Sequence, residues 1–296
     1  MPKIIAVILS ATIITIAIMS VIHIISPLNS NVVNAQSKNK NIDSSIYDFA
    51  NNGSLANILS NNLVNYLNES ASIMKLTSMI PDVSTVVLEN KINSSLHGVS
   101  NNDDVKKRQI ADNILQHSDA LEAVTFLMPN GDMYLEEPYA RQLDLSRNNF
   151  AFRDYYQGAI ETQQAFLGNA IVSSSTGETV SLISIPIYSQ KNQSLVGIWS
   201  GVLNFSKFYN KLQSLNLPDN IRVVYIDGNG QKIADSNSLS SNKSESFAEL
   251  NSFKNGKAGN AGNGTETING TNYLVSYTPA NILSNTWIVM VMSNPG

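Results

Sequence analysis

"AVTFLMPNGDMYLEE", residues 123–137, and "RVVYIDGNGQKIADS", residues 222–236, each run an apolar stretch into an Asn-Gly turn and out into a second strand-like stretch. Asn130-Gly131 and Asn229-Gly230 lie 99 residues apart. Asn-Gly is a strong short-range hairpin signal, because both central positions of the tightest hairpin turn need positive φ. A second correspondence follows in the same order. "VSLISIPIY" (180–188) and "YLVSYTP" (273–279) read as strands closed by Pro186 and Pro279, 93 residues apart. Each leads through polar residues into a last strand, "SLVGIWSGVLNF" (194–205) or "TWIVMVM" (286–292). Two similar offsets in one order predict two copies of a single α+β module. The competing reading is that antiparallel hairpins look alike by pattern alone.

Working outward, "NFSKFYNKLQSLNLPDN" (204–220) reads as a helix connecting the copies, ended near Pro218. "SNSLSSNKSESF" and the Gly-rich "KNGKAGNAGNGTETINGTN" read as surface loops, the second entering another Asn-Gly hairpin at Asn269-Gly270. The second copy is therefore the smaller and the poorer in side chains that could build a pocket. Ahead of the first copy, "NNDD" predicts a capped helix from about Asp104 to His117. Earlier still, Ile46, Phe49, Leu55, Leu59, Leu63, Leu67 and Met74 recur at helical spacing, from Asp43 to about Ile80, where Pro81 ends the pattern. Such a helix exceeds what one globular module needs, which suits a spine, a homodimer interface or both.

The chain opens with an apolar run from Ile4 to Ile25, about the length that spans a bilayer. Small residues at Val33 and Ala35 follow, so residues 1–35 are either a signal peptide cleaved after Ala35 or a membrane anchor. Both readings export the rest, through a short polar linker at 36–42. Eight Asn-x-Ser/Thr sequons, at Asn52, Asn68, Asn93, Asn192, Asn204, Asn242, Asn263 and Asn269, are compatible with a surface glycoprotein. With 19 basic against 23 acidic residues, nothing offers the positive footprint that nucleic acid requires. The absence of cysteine removes thiolate nucleophiles, disulfides and thiolate metal sites together. His23, His97 and His117 have no partner at metal-ligand spacing, and "DGNG" (227–230) lacks the rest of a calcium loop. "SSSTGET" (173–179) has no nucleophile-elbow glycines or positioned histidine, so it reads as a polar turn, and no acid, base and nucleophile set can be assembled. An enzyme is not expected, and neither a metal nor a cofactor is called for.

The order of "VTFLMPNGDMY", "FRDYYQGAI", "VSLISIPIY", "LVGIWSGVLNF", "VVYIDGNGQKIADS" and "WIVMVM" resembles the double Cache family. These are extracytoplasmic sensors made of two PAS-like modules with antiparallel sheets, strung along one long N-terminal helix. The resemblance spans about Asp43 to Met292. It implies a spine helix within 36–80, a membrane-distal ligand-binding module at 81–217 and a membrane-proximal module at 218–293. It further implies a small molecule bound between the distal sheet and the segment Arg153, Asp154, Tyr155, Tyr156. A guanidinium offers a planar fork to a carboxylate, and neighbouring rings give apolar walls with a hydroxyl handle. Only one of the two adjacent tyrosines is expected to face the cavity. Phe126, Tyr134, Ser173, Tyr188, Trp199 and Asn204 complete the candidate lining. The other reading of Arg153 is an ion pair with Asp154 or another acid, and Trp199 and Tyr188 could equally pack against the long helix.

Amino-acid-sensing members of that family carry Trp where Tyr155 stands, Tyr where Asn148 stands and Asp around Asn204. A neutral Asn cannot neutralise an ammonium group, and nothing in the sequence places Asp154 or Asp132 in the pocket. The expected ligand is therefore a monocarboxylate or other small organic acid. The expected protein is a non-catalytic sensor, tethered by its N-terminal segment or released, that signals through a partner membrane protein. The alternative is a structural or adhesive surface glycoprotein with a vestigial cavity.

Overall fold

Ala56, Leu59, Leu63, Leu67, Ala71 and Met74 return to one side of a helix every three or four residues, and all are buried. They form the inner stripe of α1, Phe49–Ser78, in the computed structural model, which describes residues 49–237 and 245–294. The apolar leader, the Ala35 cleavage site, the 36–42 linker, the helix start at 43–48, Asn242 and most of the loop around it lie outside the described residues. Among the described residues, no helix is long and apolar enough to cross a membrane.

Two five-stranded antiparallel sheets share α1. The first is built from β1 (Leu121–Leu127), β2 (Met133–Glu137), β3 (Phe166–Leu167), β6 (Leu182–Tyr188) and β7 (Leu195–Leu203), in the spatial order β2-β1-β7-β6-β3. The short hairpin β4 (Ile171–Val172) and β5 (Thr179–Val180) stands apart from it. The second sheet is built from β8 (Ile221–Ile226), β9 (Lys232–Asp235), β10 (Gly262–Ile268), β11 (Thr271–Ile282) and β12 (Asn285–Ser293), ordered β9-β8-β12-β11-β10. Numbered within its own sheet, each reads 2-1-5-4-3, so the repeat legible in the hairpins extends to the whole topology.

The helix α1 binds both sheets with specific bonds as well as apolar area. Ser60 Oγ donates to Pro279 O at 2.8 Å on the second sheet. Trp199 Nε1, fully buried on the first, donates to Thr77 Oγ1 at 3.0 Å. On the opposite faces lie two smaller cores, one under α4 (Asp154–Thr162) and one under α6 (Asn251–Lys257). The remaining α-helices among the described residues are α2 (Val105–His117), α3 (Tyr139–Leu143) and α5 (Phe205–Gln213).

Four local expectations are corrected. The Asn-Gly hairpins form, but positive φ falls on Gly131 and Gly230 alone, each closing a four-residue turn whose glycine N–H donates to Met128 O or Asp227 O. A register shift in the adjoining strand pair accompanies each turn, which is how a longer loop keeps the ladder in phase. At Asn269-Gly270 both residues are positive, the two-residue turn expected of that pair. Second, Pro186 and Pro279 do not close their strands. Each sits where the neighbouring strand on one side has already ended, so its missing N–H costs the ladder nothing. Third, Asp104 does not cap α2, because its carboxylate instead accepts from Tyr134 Oη at 2.8 Å and pairs with the buried Lys107 at 3.2 Å. Fourth, the Gly-rich stretch is not all loop: it ends α6 and forms β10. Its glycines allow close approach, since a Cβ on Gly262 would sit 2.6 Å from Tyr277 Oη.

Candidate functional site

The cavity expected between the first sheet and the Arg153 segment is present, small and polar at one end. It has a volume of about 40 Å³. By the rule that one water needs roughly 10–15 Å³ of such space, it holds about three waters as it stands. Its floor is sheet: Thr125 from β1, Met133 and Glu136 from β2, Leu182 from β6 and Val202 from β7. Its roof is Phe150, Arg153 and Tyr155 at the start of α4, and its lid is Ile171, Ser173, Ser174, Ser175 and Val180 of the β4–β5 hairpin.

Arg153 sits at the N-cap position of α4 with extended backbone and makes no capping bond with its side chain. Nη2 donates to Val172 O at 3.0 Å, while Nε is buried with no partner. The ion pair with Asp154 does not form. Asp154 instead accepts Asn169 N at 2.7 Å and Asn169 Nδ2 at 3.0 Å with one oxygen, and the N–H of Tyr155 with the other. Among the described residues Arg153 pairs with no carboxylate. A buried guanidinium N–H with nothing to donate to is costly, and an incoming carboxylate removes that cost.

Of the two adjacent tyrosines, Tyr155 lines the cavity and Tyr156 does not. Tyr156 Oη donates to Pro129 O at 2.7 Å and ties α4 to the β1–β2 turn. Burial pushes the Tyr155 phenol well above its ordinary range, with the Arg153 charge working against the shift. The Tyr155 phenol is therefore neutral where it lines the cavity.

The strongest polar feature is one that sequence reasoning missed. Glu136 is only 2% exposed, and as the register partner of Thr125 it faces the cavity from the edge strand. Burial pushes its carboxyl up to about 7, against the pull of Arg141, whose Nε donates to it at 3.1 Å. Arg141 in turn reaches Glu122 at 2.9 Å, so the edge of the cavity is a Glu122–Arg141–Glu136 chain. The signal was readable: "LEE" puts two acids in an otherwise apolar strand, and alternation sends them to opposite faces. Glu137 faces away and pairs with Arg108.

Of the remaining candidates, Ser173 reaches the cavity and the others do not. Phe126, Tyr134 and Trp199 pack on one another behind the sheet, toward α1 and α2, because they occupy strand positions opposite in parity to the cavity floor or beyond the β1–β2 register shift. Ser173 lines the cavity, but its hydroxyl is occupied by the turn, contacting Ser175 Oγ at 3.2 Å and accepting Thr176 N at 3.3 Å. Asn204 stands past the end of β7, before α5, its N–H on Ala120 O at 2.9 Å and its Oδ1 buried without a partner. Asn148 faces His97, and Asp132 bonds Asn130 and Asn149 in the hairpin turn. Tyr188 lines a much larger open groove, about 1470 Å³, beside the C-terminal half of α1. That groove is bigger but brings together no buried charged pair, so the small cavity is the candidate site. Among the described residues no cluster of three potential metal ligands exists.

The family model described as "Cache domain" matches residues 33–295. The chain belongs to the Cache domain family. No match to a curated protein sequence is found. Among solved structures, this Cache chain is similar to an extracellular ligand binding receptor from Desulfohalobium retbaense DSM5692, with TM-score 0.59 and 12% identity. The match covers 83% of this chain and 40% of that receptor, so this chain spans about two fifths of its length. It is also similar to the periplasmic sensory domain of the Campylobacter jejuni chemoreceptor Tlp1, with TM-score 0.61, 14% identity and coverage of 82% and 94%. A third is the ligand binding domain of the Pseudomonas aeruginosa PAO1 amino acid chemoreceptor PctB in complex with L-Arg, with TM-score 0.59, 14% identity and coverage of 82% and 93%. At such identities the likeness is one of fold.

Proposed function

We propose that this Cache chain is an extracytoplasmic, non-catalytic sensor module that binds a small carboxylate on Arg153 and passes the event to a partner membrane protein. Residues 4–25 hold it at the membrane, or cleavage after Ala35 releases it. The observation that carries the reading is the buried Arg153 Nε, without a partner, in the small cavity that Tyr155 also lines. Family membership and the ligand-binding receptors of the same fold support it.

Glu136 extends the ligand description. A buried carboxyl on the wall that Arg153 also lines accepts from an amino or hydroxyl group, so a carboxylate that also carries such a donor satisfies both. That reopens amino acids, which the absence of an Asp around Asn204 had weighed against. PctB's complex with L-Arg involves a ligand with both groups.

The experiment is a thermal-shift screen of the full chain against matched pairs that differ only in the amine, L-alanine against propionate and L-isoleucine against 3-methylpentanoate, with simple amines as a third arm. A ligand at about 100 times its Kd stabilises by roughly 2.7 kcal/mol, well within reach of the method. A saturable rise with carboxylates that vanishes in Arg153→Met supports the reading. A response to amines alone refutes it, and silence across the panel favours an adhesive surface protein with an unused cavity.

A further inference from the structure

Between the cavity and the second sheet runs one short stretch of chain, Leu167 to Val172. Its last residues belong to the cavity: Ile171 lines it, and the Val172 carbonyl is held by Arg153 at 3.0 Å. Asn169 is held from the same direction, its N–H and Nδ2 both donating to Asp154, the residue after Arg153. The second module grips the same stretch. Asn285, at the start of β12, donates to Leu167 O at 2.9 Å and to Asn169 Oδ1 at 3.2 Å. Asp227, in the β8–β9 turn, accepts the N–H of Ala170 at 2.7 Å with one oxygen, and the N–H groups of Asn229 and Gln231 at 2.9 and 2.8 Å with the other. The turn is seated closely as well, since a Cβ on Gly228 would fall 2.4 Å from Asn285 Oδ1 and 3.0 Å from Asn169 Oδ1.

Asp227 is fully buried, a position that disfavours an ionised carboxyl unless it is well bonded. The hairpin itself does not require it. In the equivalent turn of the first module Met128 occupies the same place, three residues before the positive-φ glycine, and the turn closes through the same backbone bonds. What distinguishes the second turn is the Asp227 carboxylate, which bonds Asn229 and Gln231 within the turn with one oxygen and reaches out to Ala170 with the other.

We infer that the 167–172 strap carries the state of the cavity to the second module, through Asn169–Asn285 and Ala170–Asp227. A ligand larger than the present 40 Å³ displaces Ser173–Ser175, which continue directly from the strap. Arg153, when it takes a carboxylate, also fixes the Val172 carbonyl it already holds. Because residues 167, 169 and 170 are bonded to the β8–β9 and β11–β12 turns, the strap cannot shift without moving those turns or breaking their bonds. Asn285 and Asp227 act as positioning residues, and a two-state element touched by both sites is the physical requirement for coupling. The occupant of the cavity rests on the function proposed above, but the coupling itself does not need one.

The test uses no ligand. In the full chain, Arg153→Met releases the Val172 carbonyl, and amide hydrogen exchange reads how far the release travels. Exchange is expected to quicken at Ala170 and also at Asn229, Gln231 and Thr286 in the second module, roughly 3- to 10-fold for the loosening of single hydrogen bonds. With Asn285→Ala added, the further change at Asn229 and Gln231 on Arg153→Met should shrink. A response confined to residues 146–180 overturns the inference. Melting temperatures give the second readout: Arg153 and Asn285 share no hydrogen-bond partner, so their effects should add unless the strap couples them. Strict additivity overturns the inference, and Asn285→Ser replaces the alanine variant if that one fails to fold. A negative result leaves carboxylate binding by Arg153 standing, and a silent ligand screen leaves the coupling standing.

Discussion

Glu136→Gln should make the protein more stable above neutral pH. In the folded chain burial raises the Glu136 carboxyl from its ordinary 4.5 to about 7. As pH climbs from about 4.5 to 7, the unfolded chain gives up its proton and the folded chain keeps it. The native state then binds more protons than the unfolded state, so stability falls with rising pH across that window and levels off above it. At about 1.4 kcal/mol per pH unit, a gap of about 2.5 units amounts to roughly 3 kcal/mol as an upper bound. The value of about 7 already contains the pull of Arg141, and partial relaxation of a buried site reduces the figure further, so about 1–3 kcal/mol is expected. Glutamine keeps an oxygen for Arg141 Nε and never ionises, so it escapes this loss. For a chain of this size, 1 kcal/mol moves the melting temperature by about 2–4 °C. The assay is melting temperature against pH from 4 to 9 for both proteins. The difference curve should open between pH 4.5 and 7, in favour of glutamine, and stay open above. A flat difference, or a variant less stable at every pH, refutes the buried-carboxyl argument.

Arg153→Met should cost only about 1 kcal/mol of stability, one hydrogen bond to Val172 O, while abolishing carboxylate binding; a loss of several kcal/mol in urea unfolding would mean that it is a structural anchor instead. Trp199→Ala removes a fully buried ring and its bond to Thr77 on α1, and about 3–5 kcal/mol should disappear from the denaturant-derived stability. Gly158→Ala puts a Cβ 2.4 Å from the Phe166 ring under α4, and overpacking of about 1–3 kcal/mol should show as a lowered melting temperature.

The hairpin stretches carried most of the fold. Apolar runs on either side of Asn130-Gly131 and Asn229-Gly230 announced two similar modules, and the strand order 2-1-5-4-3 in both sheets is what that similarity means in space. Where glycine was read only as a turn former the reading failed, because Gly256 and Gly262 serve close approach to Ile288 and Tyr277, which no local pattern announces. At the site, Arg153 and Tyr155 were legible through the double Cache resemblance, which implied a ligand between the first sheet and the segment Arg153–Tyr156. Which of Tyr155 and Tyr156 faced inward was not, since it depends on a bond to Pro129, 27 residues away. Glu136 was missed because its role follows from pairing with Thr125 across the hairpin, and register is a tertiary fact. The strap is further removed still: Asn169 meets Asn285 across 116 residues.

The central claim is that the unpartnered Nε of Arg153 is the seat of a ligand carboxylate. Nitrogen-15 spectra of the arginine Nε–H groups in the full chain, with the Arg153 signal assigned by its loss in Arg153→Met, test it directly. Titration with whichever carboxylate raises the melting temperature should move that signal downfield and saturate at the same concentration as the thermal shift. A ligand that saturates the protein while the Arg153 Nε–H signal stays where it was would contradict the account.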